Sequence, residues 1–171
     1  MIDSAVIEKC QNGDSESFRY LVEGYQKQAA GHAIAILRDR EDASDAVQDA
    51  FVDAYRSIKK FDNTRPFYPW FYVLLRNRCY KITSKRGDAE NVEDIEILAP
   101  QSGLPGEERY ALERALHSLS RKDREIITLK YLDGLSYQEL ADYLQIPKGT
   151  VMSRLFYARW QLRSKLSGNV G

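Results

Sequence analysis

Apolar residues recur along this chain at intervals of three and four, and they hardly alternate anywhere. After Asp14, the residues Phe18, Leu21, Val22, Tyr25, Ala29 and Ile36 follow the helical period and predict one long helix to about Leu37. Asp14 suits the N-cap of that helix, because its carboxylate can accept the free amides of the next turn. A short helix from Asp3 to about Gln11, closed by Gly13, is expected before it. Asp39 starts another, which ends near Ile58. The stretch FDNTRPFY, Phe61 to Tyr68, reads as a loop: Asp62, Asn63 and Pro66 are turn formers, and Pro69 biases Tyr68 away from helical angles. Pro69 then fits the first position of a helix through Trp70, Val73, Leu74 and Asn77 to about Lys85.

The period is lost over residues 87–107, which carry Pro100, Gly103, Pro105 and Gly106 and read as a linker. Helical spacing resumes from Glu108 to Leu119. Ser120 caps the next helix, which ends at Asp133-Gly134. Ser136 and Glu139 form an S-x-x-E capping box ahead of Leu140, Ala141 and Leu144. A short turn, QIPKG, leads into a last helix with Val151, Leu155, Ala158, Leu162 and Leu166 on one stripe. A short helix, a tight turn and a longer helix with a polar N-terminal half is the helix-turn-helix pattern. No internal repeat appears. The expected fold is all-α: two small helical domains, residues 1–86 and 108–171, joined by a flexible acidic linker over 87–107.

Charge changes the picture only when it is divided along the chain. The formal net charge is zero, which gives no electrostatic argument for nucleic acid. Residues 1–86 hold 14 Lys/Arg against 12 Asp/Glu, residues 87–107 hold 6 acids and no base, and residues 108–171 hold 11 bases against 7 acids. Two mildly basic pieces thus flank an acidic strip. The two cysteines, Cys10 and Cys79, are far apart in sequence, and no Cys/His cluster suggests zinc. No signal peptide and no membrane-length apolar run is seen. His32 and His117 are isolated, and no phosphate-binding, nucleophile-elbow or metalloprotease motif is present. No enzyme, cofactor or metal is expected.

Three stretches carry candidate chemistry. In LSYQELADYLQIPKGTVMSRLFYARWQL, Gly149 and Thr150 begin the second helix of the helix-turn-helix, where free amides can bind phosphate. Thr150, Ser153, Arg154 and Tyr157 are donors off the core side, suited to phosphates or base edges. DNA binding is the preferred reading over a plain helical hairpin. In RPFYPWFYVLLRNRCYKITSKR, aromatics precede bases, a pattern that could stack and track single-stranded nucleic acid. From this stretch alone, buried aromatics with a solvated basic face is the better reading, and Trp70 in particular looks like core. In DAVQDAF, Asp45, Gln48 and Asp49 share one face with no base among them. Taken alone, that face reads as solvated.

Together, and in this order, the motifs resemble an extracytoplasmic-function sigma factor, the smallest group of the bacterial sigma-70 family. LRDREDASDAVQDAFVDAYRSIKKFD is similar to the family's polymerase-docking helix, FYPWFYVLLRNR to its promoter-melting segment, and GTVMSRLFYAR to its −35 recognition helix. The resemblance implies that Asp45, Gln48 and Asp49, with Phe51 and Val52, dock on a basic coiled coil of the polymerase β′ clamp, the β flap being a second contact. It implies −10 contacts from Phe61, Asn63, Thr64, Arg65, Tyr68, Arg76, Asn77, Arg78 and Lys81, with the loop Phe61–Tyr68 as a pocket for flipped bases. It implies −35 contacts from Lys148, Gly149, Thr150, Met152, Ser153, Arg154, Phe156 and Tyr157. Implied partners are core RNA polymerase, promoter DNA and an anti-sigma factor, in the cytoplasm. Other expectations are a sigma-like decoy for an anti-sigma factor or a simple operator-binding protein. The chain departs from the family at Met152, where Lys or Arg is usual, at Tyr157, where a base often aligns, at Lys81, where Asp is common, and at Phe67-Tyr68-Pro69-Trp70.

Overall fold

The computed structural model describes residues 4–87, 106–131 and 133–168, and no strand occurs among them. The chain divides into two units, residues 1–89 and 90–171. The first contains α1 (Ser4–Gln11), α2 (Ser15–Leu37), α3 (Arg40–Ser57), a single tight turn at Ile58–Lys60 and α4 (Phe67–Lys85). The second contains α5 (Gly106–His117), α6 (Arg121–Tyr131), α7 (Tyr137–Leu144) and α8 (Lys148–Ser167). The expected linker over 87–107 lies almost wholly outside the described residues, and its last two, Gly106 and Glu107, open α5.

Local capping fixes where the helices of the first unit begin. The Asp14 carboxylate accepts the amides of Glu16 and Ser17 at 3.1 and 3.2 Å and the Ser17 hydroxyl at 2.7 Å. Those bonds hold its carboxyl below the ordinary range, since they favour the charged form. Asp39 caps α3 through the Asp42 amide at 2.8 Å. Between the two helices Arg38 adopts a left-handed conformation, φ 54°, and its amide donates to the Ile34 carbonyl at 2.8 Å.

Helix α4 starts two residues before Pro69, not at it. Pro66 occupies the N-cap, so Pro69 falls in the first turn, where an amide has no intrahelical acceptor to lose. The bias that Pro69 puts on Tyr68 is overridden by burial. Tyr68 packs in the core with its hydroxyl 2.8 Å from His32 Nδ1 and its ring against Tyr25.

The core of this unit lies between α2, α3 and α4. Helix α3 turns Ala43, Ala46, Ala50 and Ala54 inward, all fully buried, and Phe51 stacks on Phe71 at 4.4 Å. Phe61, Phe67 and Trp70 gather at one end, and Trp70, expected in the core, sits half-buried at its edge. Gln11 Nε2 donates to the carbonyls of Ile58 and Phe61 at 3.0 and 2.7 Å and so ties α1 to the tight turn. Burial raises the Cys10 thiol. One ion pair clamps α4 to α3: Arg78 donates twice to the Asp53 carboxylate, at 2.5 and 2.6 Å, and approaches Asp49 at 3.7 Å. The Arg78 hydrogen bond holds Asp53 below the usual carboxylate range. Arg86 pairs with Asp42 near the far end of the same two helices.

In the second unit the capping box forms as expected. The Ser136 hydroxyl accepts the Glu139 amide at 3.2 Å, and the Glu139 carboxylate accepts the Ser136 amide at 2.8 Å, which lowers the Glu139 pKa. Helix α6 ends at Tyr131, ahead of the expected stop, and Gly134 takes a φ of +68° that L side chains rarely adopt. Helix α7 ends at Leu144 with Gln145, also left-handed at φ 54°, as its C-cap, and Pro147 occupies the N-cap position of α8. Ile126, Leu129, Leu140, Leu144, Val151, Leu155 and Ala158 form the core, while Leu162 and Leu166 of the expected stripe are half-buried.

Two stability effects follow. Ser136→Ala removes half of the capping box and should cost the second unit about 1 kcal/mol in urea denaturation. Asp53→Asn should cost the first unit about 1 kcal/mol near neutral pH, as for a two-bonded pair at a partly exposed site. Because the folded-state pKa of Asp53 is depressed, its contribution is complete above the unfolded value of about 4 and is lost as the pH falls through the lower native value. Unfolding curves of wild type and Asp53→Asn should therefore converge in acid, and a gap that persists there contradicts the assignment.

Candidate polymerase and nucleic-acid interfaces

The inward alanines of α3 leave a second face outside. Asp45, Gln48, Asp49 and Val52 are all exposed on it, at successive spacings of three, one and three. Val52 puts an apolar centre in an otherwise acid-amide surface, and exposed Tyr55 extends it one turn further. Tyr55 was not among the sequence candidates. An aromatic at helical spacing reads as core, and only its position three after Val52 marks it as part of this face. Phe51, expected here, is buried against Phe71 and contributes support from behind.

The face is not free of bases, as its local sequence suggests. Arg78 reaches across from α4, is held by Asp53 and stands 3.7 Å from Asp49. Asp45 has no ion-pair partner among the described residues. A basic partner would therefore meet one unpaired carboxylate, an amide and a carboxylate shared with Arg78.

The expected −10 residues divide into four groups. Phe61 and Tyr68 are buried, Phe61 against Phe67 and Tyr68 against Tyr25 in the aromatic core. Arg78 is turned to α3, and Arg76 is half-buried with its guanidinium 4.7 Å over the Tyr80 ring. Asn77 and Lys81 remain exposed one turn apart on α4. Thr64 and Arg65 are exposed and Asn63 partly so, in a turn where the Asp62 carboxylate accepts the Thr64 amide at 3.0 Å and its hydroxyl at 2.7 Å. The same bonds hold the Asp62 pKa low.

The expected −35 residues lie together on α8. Lys148, Gly149 and Thr150 are exposed in its first turn, and no side chain caps the amides there. Open amides at a helix N-terminus attract phosphate. Met152, Ser153, Phe156 and Tyr157 are exposed beyond it, and Arg154 is half-buried at their flank. Helix α7, with Leu140 and Leu144 buried, packs on α8, which is the arrangement that presents the second helix of a helix-turn-helix outward. No group of metal-ligating side chains occurs among the described residues. No described helix is long and apolar enough to cross a membrane.

Comparison with known proteins agrees with this division. Residues 21–89 match the family described as Sigma-70 region 2, and residues 109–162 match Sigma-70, region 4. The ECF RNA polymerase sigma-E factor of Haemophilus influenzae is 33% identical, with 97% of this chain and 96% of the relative aligned. That of Escherichia coli K12 is 35% identical, with 97% and 95% aligned. Among solved structures, the sigma factor RpoE in complex with the anti-sigma factor NepR from Bartonella quintana is similar, at 26% identity and a TM-score of 0.71 over 89% of this chain and 98% of that one. CnrH in complex with the cytosolic domain of CnrY is similar at 25% identity and a TM-score of 0.72, over 97% of both chains. An outward acid-amide helix face in one unit and a helix-turn-helix in the other, matched along nearly the whole length by such relatives, mean that the chain belongs to the extracytoplasmic-function group of the sigma-70 family.

Proposed function

We propose that the α3 face Asp45, Gln48, Asp49, Val52 and Tyr55 docks this sigma factor on a basic coiled coil of the polymerase β′ clamp. The observation that carries this reading is the acidic surface itself. It is exposed, apolar at its centre and unpaired at Asp45, a combination that leaves charge for a partner to neutralise. Complementary charge of this kind gives register and fast association more than raw affinity. The chain directs core RNA polymerase to promoters and initiates transcription there; it supplies recognition, and the polymerase supplies the chemistry. The proposed working divisions are residues 1–86 for docking and −10 opening, 87–107 as connector, and 108–171 for the −35 element.

Within that scheme, promoter opening falls to the exposed edge of the first unit. Unstacking a base costs a few kcal/mol, about, so an opened base must be captured to stay out. With Phe61 and Tyr68 in the core, capture belongs to the turn Asn63-Thr64-Arg65, and Asn77 and Lys81 hold the backbone beside it. Residues Lys148 to Tyr157 enter the −35 major groove, and the β flap engages the same unit. The site of action is the cytoplasm, where the polymerase is. The likeness to the NepR-bound RpoE supports an anti-sigma partner that would cover these surfaces when the factor is silent.

Two outcomes test the assignment. Asp45→Arg combined with Asp49→Arg should abolish pull-down of core polymerase while helicity and Tm hold, because both side chains are exposed; a double mutant that still binds core removes the face from the interface. Lys81→Ala should weaken open-complex formation evenly across promoters and reduce the slope of log affinity on log salt by about 1, the signature of a lost phosphate contact. An unchanged slope would place Lys81 away from DNA.

A further inference from the structure

The outward face of α8 carries large apolar groups, Met152, Phe156 and Trp160, where a base-reading helix ordinarily carries long donors. Val151, Leu155 and Ala158 point to the core. Helical geometry then sets Ser153, Phe156 and Trp160 on the opposite side, with Met152 and Tyr157 at its edges. Met152 is 52% exposed, Phe156 and Tyr157 61% each, and Trp160 63%. Reading guanine takes a paired contact from Arg or Lys, and reading adenine takes one from Asn or Gln. None of those residue types stands on this face between Gly149 and Tyr157. Arg154 lies at the flank, half-buried, and the Ser153 hydroxyl already donates to the Thr150 carbonyl at 3.1 Å.

One group on the major-groove edge matches such a surface: the methyl of thymine, which apolar side chains recognise by contact alone. We infer that α8 selects its −35 element mainly through thymine methyls, packed against Met152 and Phe156. Lys148, Thr150 and the open amides of the first turn hold the phosphates and set the register without reading sequence. DNA is favoured over a protein on this stripe because the stripe begins within two turns of that anion-binding end, the part of a recognition helix that lies against base edges. The inference rests on the proposed role of α8 at the −35 element.

The test uses holoenzyme made from core polymerase and the full chain. Duplexes randomised at the −35 element are selected for binding, and each selected thymine is then replaced by deoxyuridine, which removes only the methyl. At one or more positions affinity should fall about fourfold, the factor given by about 0.8 kcal/mol for one buried methyl-sized group. Met152→Ala or Phe156→Ala should erase that thymine-to-uracil difference, and Met152→Arg should move the selected base toward guanine. Equal binding of thymine and uracil at every position overturns the inference, as does a selected element defined only by G·C pairs. A methyl effect that survives in both alanine variants takes the contact away from these two residues. Absence of any −35 footprint by the holoenzyme would instead bring down the underlying reading of α8, and this outcome is distinct because it appears before any base is changed.

Discussion

The architecture of the first unit depends on how closely α3 can lie against its neighbours. Ala43, Ala46, Ala50 and Ala54 make a stripe of the smallest side chains that still favour a helix, and all four are buried. Packed helices approach to a separation set by the side chains between them. With Val47 and Phe51 beside them, these alanines fill the inward side of α3 and leave its other side outward. Larger residues at those four positions would push α3 away and break the Arg78–Asp53 clamp, whose bonds of 2.5 and 2.6 Å tolerate little movement. The proposed docking surface is thus shaped from behind.

That clamp also joins two activities that the sequence keeps apart. Asp49 belongs to the acidic face, Arg78 to the helix that carries the proposed −10 contacts, and the two stand 3.7 Å apart. A cation brought to Asp49 by a partner competes with Arg78 for the same carboxylate. Asp53 holds Arg78 through the stronger, two-bonded pairing.

Features fixed by neighbours in sequence were legible beforehand. The caps at Asp14, Asp39 and Ser136, the capping box, the helix order and the outward face of α3 all follow from rules that span four residues or fewer. Features fixed by distant neighbours were not. Nothing near Arg78 announces that Asp53, twenty-five positions earlier, will pair with it. Aromatic identity does not distinguish a stacking platform from a core, so neither the exposure of Tyr55 nor the burial of Phe61 can be read from residue type alone. The start of α4 was misjudged for the same reason: a local preference at Tyr68 yielded to the burial of its ring beside His32.

The chain's two tryptophans fall one to each unit. Trp70 lies half-buried among Phe61 and Phe67, with ring centroids 4.8 and 5.6 Å away, whereas Trp160 stands in water on the outward side of α8. The protein therefore carries a pair of intrinsic fluorophores with contrasting surroundings, a shielded, blue-shifted emitter in one unit and a solvent-quenched, red-shifted emitter in the other. A red shift of the Trp70 component follows the melting of the first unit without any label, and the Trp160 component reports on whatever comes to rest against the last helix.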